Sequence, residues 1–484
     1  MQNFTRDELQ TVYDHGPDAI IDLLEQLIRT NEILVQQVIE LKTRVKELEN
    51  QLAQDSHNSS KPPSSDGFKK QTKSLRQPGK RKPGGQKGHS GNTLKRVNNP
   101  DKTVTCSINN CSHCGHSLEN VPVNDYDKRQ VFDIPPVSIE VTEYQAEIKT
   151  CSNCHTVNKA SFPKDVTQVA QYGARIKAQL IYLMNQHLLP YERTSDICFD
   201  LYGHRISAGT LYRMNRFCSE VLEKPTAKIK EHIIASDIVN FDETGLRVEE
   251  HGHWLHSAST DDCTYYYVHR RRGPVAMDEA DILPHFSGIA VHDHWKSYFT
   301  YDCQHALCNA HHLRELTFIA EQEKQQWADE MIKLLIEIKQ ETDHAKACGL
   351  KRIDDVIIKE FEFRYRKILD DGLYMNPDYD PRRKKKKRTK SQNLLHRLKN
   401  FQEQTLAFMY DLKVPFDNNL AERDIRMMKL HQKISGCFRN KAGAEMFCRI
   451  RGYISTARKQ KRNICQAIQT AVIGDPWMPQ MTAE

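Results

Sequence analysis

From Ile233 onward the hydrophobic rhythm of the chain changes, and that change constrains the fold more than any other feature. Apolar runs at Ile238 to Phe241, Trp254 to Ala258, Thr264 to His269, Gly288 to His292 and Tyr301 to Leu307 read as five strands, with a helix around Val275 to Leu283 between the third and fourth. Two acids close such runs, Asp242 on the first strand and Asp293 after the fourth. Helical patterns follow from about Leu313, through Ala328 to Ala347 and Ile353 to Leu369, until Phe416-Asp417-Asn418-Asn419-Leu420-Ala421-Glu422-Arg423 opens a helix that sets Glu422 beside Arg423, Arg426 and Lys429. Taken alone, that helix start has an ordinary reading: Asp417 or Asn418 is the cap, Glu422 complements the amino-terminal dipole, and the bases are a solvated face. Read with the two aspartates, it points to chemistry. Three carboxylates at strand ends and on a facing helix can hold two magnesium ions, which prefer hard oxygen ligands. Such ions, roughly 4 Å apart, activate a water or a 3′-hydroxyl and stabilise the leaving oxygen of a phosphodiester.

At these residues the chain resembles the insertion sequence 66 family of bacterial transposases. The resemblance rests on Ser64-Ser-Asp-Gly, Pro83-Gly-Gly-Gln-Lys-Gly-His, Asp242-Glu-Thr-Gly, His292-Asp-His-Trp-Lys-Ser-Tyr, Cys308-Asn-Ala-His-His-Leu-Arg-Glu and Asp417-Asn-Asn-Leu-Ala-Glu-Arg, in that order. It implies a ribonuclease H-like core whose Asp, Asp, Glu triad falls on Asp242, Asp293 and Glu422, with two magnesium or manganese ions, and it makes Glu243 a neighbour of the triad. After Glu422 this chain reads Lys433-Ile-Ser-Gly-Cys-Phe-Arg, where many relatives carry a segment built around Arg-Lys-Asn-Trp.

A length of 484 residues exceeds one compact core, so several domains are expected. No run can span a bilayer, and the amino terminus lacks the basic-then-apolar order of a secretory signal, which predicts a cytoplasmic protein, nucleoid-associated when on DNA. The net charge of +7 is unevenly distributed: residues 69 to 87 hold eight bases and no acid, residues 382 to 390 hold eight more, and the remainder is net acidic. Clustered bases bind phosphate through counterion release, so Lys80, Arg81, Lys82 and Lys87 are candidate DNA contacts within a Pro-, Gly- and Ser-rich tether.

Residues 20 to 52 follow a heptad. Leu24, Asn31, Val38, Val45 and Leu52 form one seam position, and Ile20, Leu27, Leu34, Leu41 and Leu48 form the other. Leucine at d, β-branched residues at a and a single Asn31 predict a parallel dimeric coiled coil, hence a homodimer or higher oligomer. Cys111-Ser-His-Cys114 and Cys151-Ser-Asn-Cys154 are two CxxC knuckles, separated by segments of strand character (Val131 to Ile134, Ile139 to Tyr144). They predict one closed structural zinc site, with Cys106, His113, His116 and His155 as alternative ligands. Tyr191 to Tyr202, then Gly203 to Ser207, then Ala208 to Phe217 reads as helix-turn-helix offering Thr210, Arg213 and Arg216 to a groove, or as a plain helical hairpin. Cys308 and His311, one helical turn apart, make an incomplete ligand pair and are read as structural or hydrogen-bonding. His312 and Arg314 are candidates for phosphate contact, His292 and His294 flank Asp293 and are read as orienting it or DNA, or else as solvated histidines, and Trp254 and Trp295 are read as core or DNA-packing aromatics, with core preferred.

The expected fold is multidomain α+β. Its segments are a coiled coil (1–56), a basic linker (57–100), a zinc-binding domain (101–165), a helical, DNA-binding region (166–230), the first part of an α/β catalytic core (231–318), a helical insertion with a basic loop (319–410) and the second part of the core (411–484). The expected function is a transposase that binds terminal inverted repeats, cuts 3′ ends and joins them to target double-stranded DNA, with companion proteins of the element as further partners and no membrane. The rivals are a nuclease of the same fold, which hydrolyses without joining, and a zinc-containing coiled-coil DNA-binding regulator whose core is inactive.

Overall fold

A computed structural model describes residues 5–59, 94–135, 137–377 and 388–480. The chain divides into two compact units, the larger containing the N-terminal helices with Gln168–Tyr191 and Gly209–Glu484, the smaller containing Ser74–Thr167 and Glu192–Ala208. None of the described helices is long and apolar enough to cross a membrane.

At the amino end, α1 (Arg6–Asp14) starts on a Thr5–Glu8 capping box, and α2 (Pro17–Leu52) runs unbroken after Gly16. The heptad leucines of α2 are exposed, Leu34 at 41% and Leu41 at 64%, so the seam stands open among the described residues. In the smaller unit β1 (Ile148–Thr150) and β2 (Val157–Lys159) form a hairpin around the second CxxC pair. The segments at 131–134 and 139–144, expected to have strand character, are not strands. Val131 and Val141 stand about 90% exposed, and a β-prone sequence without a pleated neighbour has nothing to pair with. Helices α3 (Ala174–Asn185), α4 (Tyr191–Tyr202), α5 (Ala208–Val221) and α6 (Glu223–Ala235) follow.

The centre of the larger unit is a five-stranded mixed sheet. β3 (Ile238–Val248), β4 (His251–Ser259) and β5 (Thr264–His269) are an antiparallel meander, α7 (Pro274–Ala280) crosses over, and β6 (Ile289–His292) and β7 (Gln304–Leu307) lie parallel to β3 on its other side, giving the order β5-β4-β3-β6-β7. Side chains alternate along β3: Val239 and Phe241 pack with Ile229, Ile233 and Met277 from α6 and α7, whereas Leu246 and Val248 pack with residues of α14 (Asn419–Ser435) and α15 (Lys441–Lys459). The sheet is thus covered on both faces. β3 is longer than its apolar run foretold, because β4 pairs with it as far as Val248↔His251, so Asp242 lies within the strand and not at its end.

Between β7 and α14 come α8 (Asn309–Phe318), a π-helical turn at Ile319–Glu323, and the insertion helices α9 (Gln326–Ala347), α10 (Asp355–Met375), α11 (Lys390–Asn400), α12 (Gln402–Thr405) and α13 (Ala407–Tyr410); α16 (Ile464–Val472) closes the chain. The insertion shares its core with the sheet, since Val291 and Ala306 belong to the same buried cluster as Trp327, Leu334, Tyr365 and Leu394. Gly372 permits this packing: a Cβ there would stand 2.6 Å from Leu395 Cδ2 and 3.0 Å from the indole of Trp327. Gly372→Ala is therefore expected to destabilise the larger unit by about 1–3 kcal/mol through overpacking, despite its higher helix propensity. Chemical denaturation of the two proteins side by side checks this; equal or greater stability of the variant would refute it.

Candidate active site

β6 pairs with β3 only as far as Asn240↔Val291, so past that point the two strands diverge and open a notch at the carboxyl end of β6. Asp242 and Asp293 lie just beyond this last pair. The alternation of β3 turns Asp242 to the face that carries α14, and Glu243 to the opposite face. Asp242 Oδ1 accepts the Glu243 N–H at 2.9 Å. Asp293 is fixed by a tight turn in which its Oδ1 accepts the Trp295 N–H at 3.1 Å, with His294 at φ 72°.

Glu422 comes to this notch from the first turn of α14, and Asn418 determines its position. The Asn418 Nδ2 donates to Phe241 O at 2.7 Å, its Oδ1 accepts from Asn240 Nδ2 at 2.8 Å, and its backbone N–H reaches Cys308 Sγ at 3.2 Å. Asn418 therefore does not cap the helix with its side chain, as one reading of the sequence had it; that amide is spent on β3, and Asp417 accepts the Asn419 N–H at 3.1 Å instead.

Burial raises Asp242 well above the usual carboxylate range, and the charges of Glu243, Asp293 and Glu422 add to it against one favourable backbone N–H. Burial also raises Glu422, opposed by Arg314 and Arg426 and reinforced by Asp417 and Asp293. The three acids sense one another, and Glu422 Oε1 is buried without a hydrogen-bond partner. Hard oxygen donors concentrated with less than their share of positive charge suit a divalent cation. Glu243 differs. Its carboxylate accepts from Arg272 Nε at 2.8 Å and from Tyr298 Oη at 2.6 Å, while the Arg272 guanidinium sits over Trp295 at 4.2 Å and Trp254 at 4.9 Å. Both tryptophans thus serve as a cation clamp as well as packing.

Several sequence-chosen residues fall elsewhere. His292 is fully buried, hydrogen-bonded to His305 at 3.1 Å and kept neutral by burial; His312 is 2% exposed and bonded to Asn309. Neither reaches phosphate. His294 packs edge-on against Phe401, and its pKa is lowered to about 4 by burial. Arg423 and Arg426 are exposed on α14, whereas Lys429 donates to Gly245 O at 2.8 Å. On α5, Arg213 and Arg216 are exposed while Leu211, Met214 and Cys218 are buried. Lys80, Arg81, Lys82, Lys87 and most of the 382–390 run lie outside the described residues.

The two CxxC knuckles have matching backbones: Cys111 N–H bonds His116 O and Gly115 N–H bonds Cys111 O, as Cys151 bonds Thr156 and His155 bonds Cys151, with Gly115 and His155 both at positive φ. Among the described residues, the groups of three ligand-type side chains gathered within 4.8 Å are His232, Asp262, Cys263 and Cys308, His311, Glu422; neither contains the knuckle thiols, and neither brings Asp242 or Asp293 together with Glu422 at that distance. Sequence reasoning missed Asp424, whose Oδ2 meets Lys459 Nζ at 2.9 Å, Ser259 Oγ at 2.8 Å and Thr264 Oγ1 at 3.0 Å, pinning α14 to α15 and the β4–β5 turn. The available signal was an acid on the apolar stripe of Ala421, Ile425 and Met428.

Residues 170–446 match the family described as Transposase IS66 family, more than half of the chain, and the protein belongs to that family. Residues 109–155 match the zinc-finger binding domain of transposase IS66, which spans both knuckles and supports a structural zinc, and residues 15–95 match a family of unknown function, DUF6444. No curated protein matches the chain.

Because Asp242 and Glu422 hold protons more tightly folded than unfolded, the metal-free fold loses stability as pH rises from the ordinary carboxylate range, about 4, through their raised values. Melting curves without divalent ions should show this decline, smaller in Asp242→Asn, and magnesium should offset it near neutrality. A pH dependence identical in the two proteins would contradict the assignment.

Proposed function

We propose that this transposase is of the DDE type: a ribonuclease H-like core carries Asp242, Asp293 and Glu422 as the catalytic, magnesium- or manganese-binding triad, and it cuts the 3′ ends of its element and transfers them to target DNA. What supports the reading is that Asp242 on β3, Asp293 in the turn after β6 and Glu422 on α14 lie near enough for Asp293 and Glu422 to raise Asp242 and for Asp293 to raise Glu422, on top of the burial that raises both. Bound there, two ions would supply the charge that activates a water or 3′-hydroxyl and stabilises the leaving oxygen. The protein's own part is positional. Asn418 holds Glu422 against β3, the Asp293 turn fixes the second carboxylate, and Arg272 with Tyr298 keeps Glu243 turned away from the metals. Exposed Arg423 and Arg426 flank the notch and meet the phosphate backbone, with Arg213, Arg216 and the tether residues Lys80, Arg81, Lys82 and Lys87 contributing further DNA contacts. Joining, not hydrolysis alone, separates this reading from the nuclease alternative.

The domain order set out from the sequence is proposed with it: coiled coil to 56, tether to 100, zinc domain to 165, helical DNA-binding region to 230, and a core split by the 319–410 insertion. One structural zinc is held by Cys111, Cys114, Cys151 and Cys154. The exposed seam of α2 pairs with a second copy, placing two cores on two element ends.

Glu422→Gln keeps shape and removes charge, so cleavage of an inverted-repeat substrate in magnesium should fall by at least about a thousandfold with DNA binding retained. Undiminished cleavage by a clean preparation would remove Glu422 from the triad. For the zipper, Leu34→Lys with Leu41→Lys buries unpaired like charges at the seam, a cost of several kcal/mol, about 3–5 by analogy with broken buried pairs. Sedimentation of the full chain should then show monomers where the parent protein dimerises; an unchanged dimer would exclude this seam.

A further inference from the structure

Where β7 passes into α8, two donors that phosphodiester chemistry does not need, Cys308 and His311, collect beside Glu422. Cys308 Sγ, a ring nitrogen of His311 and a carboxylate oxygen of Glu422 lie within 4.8 Å of one another. Cys308 stands at the N-cap of α8 and His311 one turn along, so both face the same side, and α14 brings Glu422 opposite. The sulfur accepts the Asn418 N–H at 3.2 Å, the kind of contact that steadies a metal-bound thiolate. Across from it, His311 Nδ1 and Glu422 Oε1 are 4.0 Å apart, and both are buried atoms with no hydrogen-bond partner. Arg314 Nη2, 3.8 Å from the same oxygen, makes no hydrogen bond to it. Two polar atoms left facing each other in this way are costly unless something lies between them.

Tetrahedral zinc, with bonds near 2.0–2.3 Å, separates neighbouring ligand atoms by roughly 3.4–3.6 Å, so the His311–Glu422 gap needs to close by only about half an ångström. Sulfur and imidazole select a zinc-like ion and are poor ligands for magnesium. We propose that Cys308, His311 and Glu422, with a water as fourth ligand, bind a thiophilic divalent ion such as zinc, and that this ion inhibits the enzyme by drawing Glu422 away from Asp242 and Asp293. Binding releases the Cys308 thiol proton to solvent, leaving thiolate and carboxylate to balance the dication. The binding half stands on the donor geometry; the inhibitory half rests on the proposed catalytic role of Glu422.

The test uses the full-length protein with its zinc finger saturated by zinc, titrated with cobalt(II), which does not displace the tighter-binding zinc. The expected result is one thiolate-to-cobalt charge-transfer band in the parent protein, lost in Cys308→Ser and formed at least about tenfold more weakly in His311→Asn. Serine retains an acceptor for the Asn418 N–H, and the partly exposed His311 supplies a second variant should the buried one fold poorly. No cobalt band, or the same band in Cys308→Ser, overturns the site. In parallel, zinc should inhibit magnesium-supported cleavage by the parent protein, and Cys308→Ser should need about tenfold more zinc, the ratio set by the lost ligand. Equal sensitivity with the cobalt band intact overturns inhibition alone. A protein that cleaves no DNA under any condition counts against the transposase chemistry and leaves the cobalt result to decide the metal site.

Discussion

The amide of Asn418 is the interaction on which the assembled notch depends. It is 2% exposed, and it ties the start of α14 to the backbone of β3 and, through its N–H and the Cys308 sulfur, to the end of β7. Three chain segments far apart in sequence converge on this one residue, through its side-chain nitrogen, its side-chain oxygen and its backbone N–H. Removing it would leave the Phe241 carbonyl and the Asn240 amide buried and unpaired, each at about 1–3 kcal/mol, and would release Glu422 from its register against Asp242. The Asp424–Lys459 ion pair braces the same helix one turn further on, anchored by Ser259 and Thr264. The helix is thus fixed at two heights, and the carboxylate between them has little freedom.

Strand alternation then separates two adjacent acids into different roles. Asp242 faces its fellow carboxylates, whose charges add to the burial that raises it; Glu243, one residue on, is raised by burial too, but Tyr298 and Arg272 oppose that shift. A one-residue slip of β3 against β4 would exchange them, and the nine-pair register from Asn240↔Ser259 to Val248↔His251 makes such a slip expensive.

The helix-and-sheet character, the five strands and the long helices of the insertion were legible because their periodicities are strong. The length of β3 was not, since Glu243 to Val248 owes its strand conformation to β4 and not to its own apolar pattern. The three carboxylates stand out in their motifs, but a motif carries no geometry, and Asn418 reads as a helix cap because its true partner is 177 residues away. His312 looked available for phosphate, and His292 for Asp293 or DNA, because a motif does not reveal which way a side chain points. Cys308 and His311 looked like half a ligand set for the same reason: the third donor is more than a hundred residues downstream on α14.

The shared core of insertion and sheet has a consequence for the order in which the protein becomes active. Val291 and Ala306 are buried by Trp327, Leu334 and Tyr365, so the sheet's β6–β7 side is finished only when α9 and α10 have folded, and α14 must be synthesised after all of them. Chains fold as they emerge, amino-terminal parts first. The amino-terminal helices and the two CxxC pairs therefore leave the ribosome long before α14 brings Glu422 to the notch. On the reading proposed above, a nascent or prematurely terminated chain has no completed notch, so the order of synthesis itself holds the transposase inert until α14 is made.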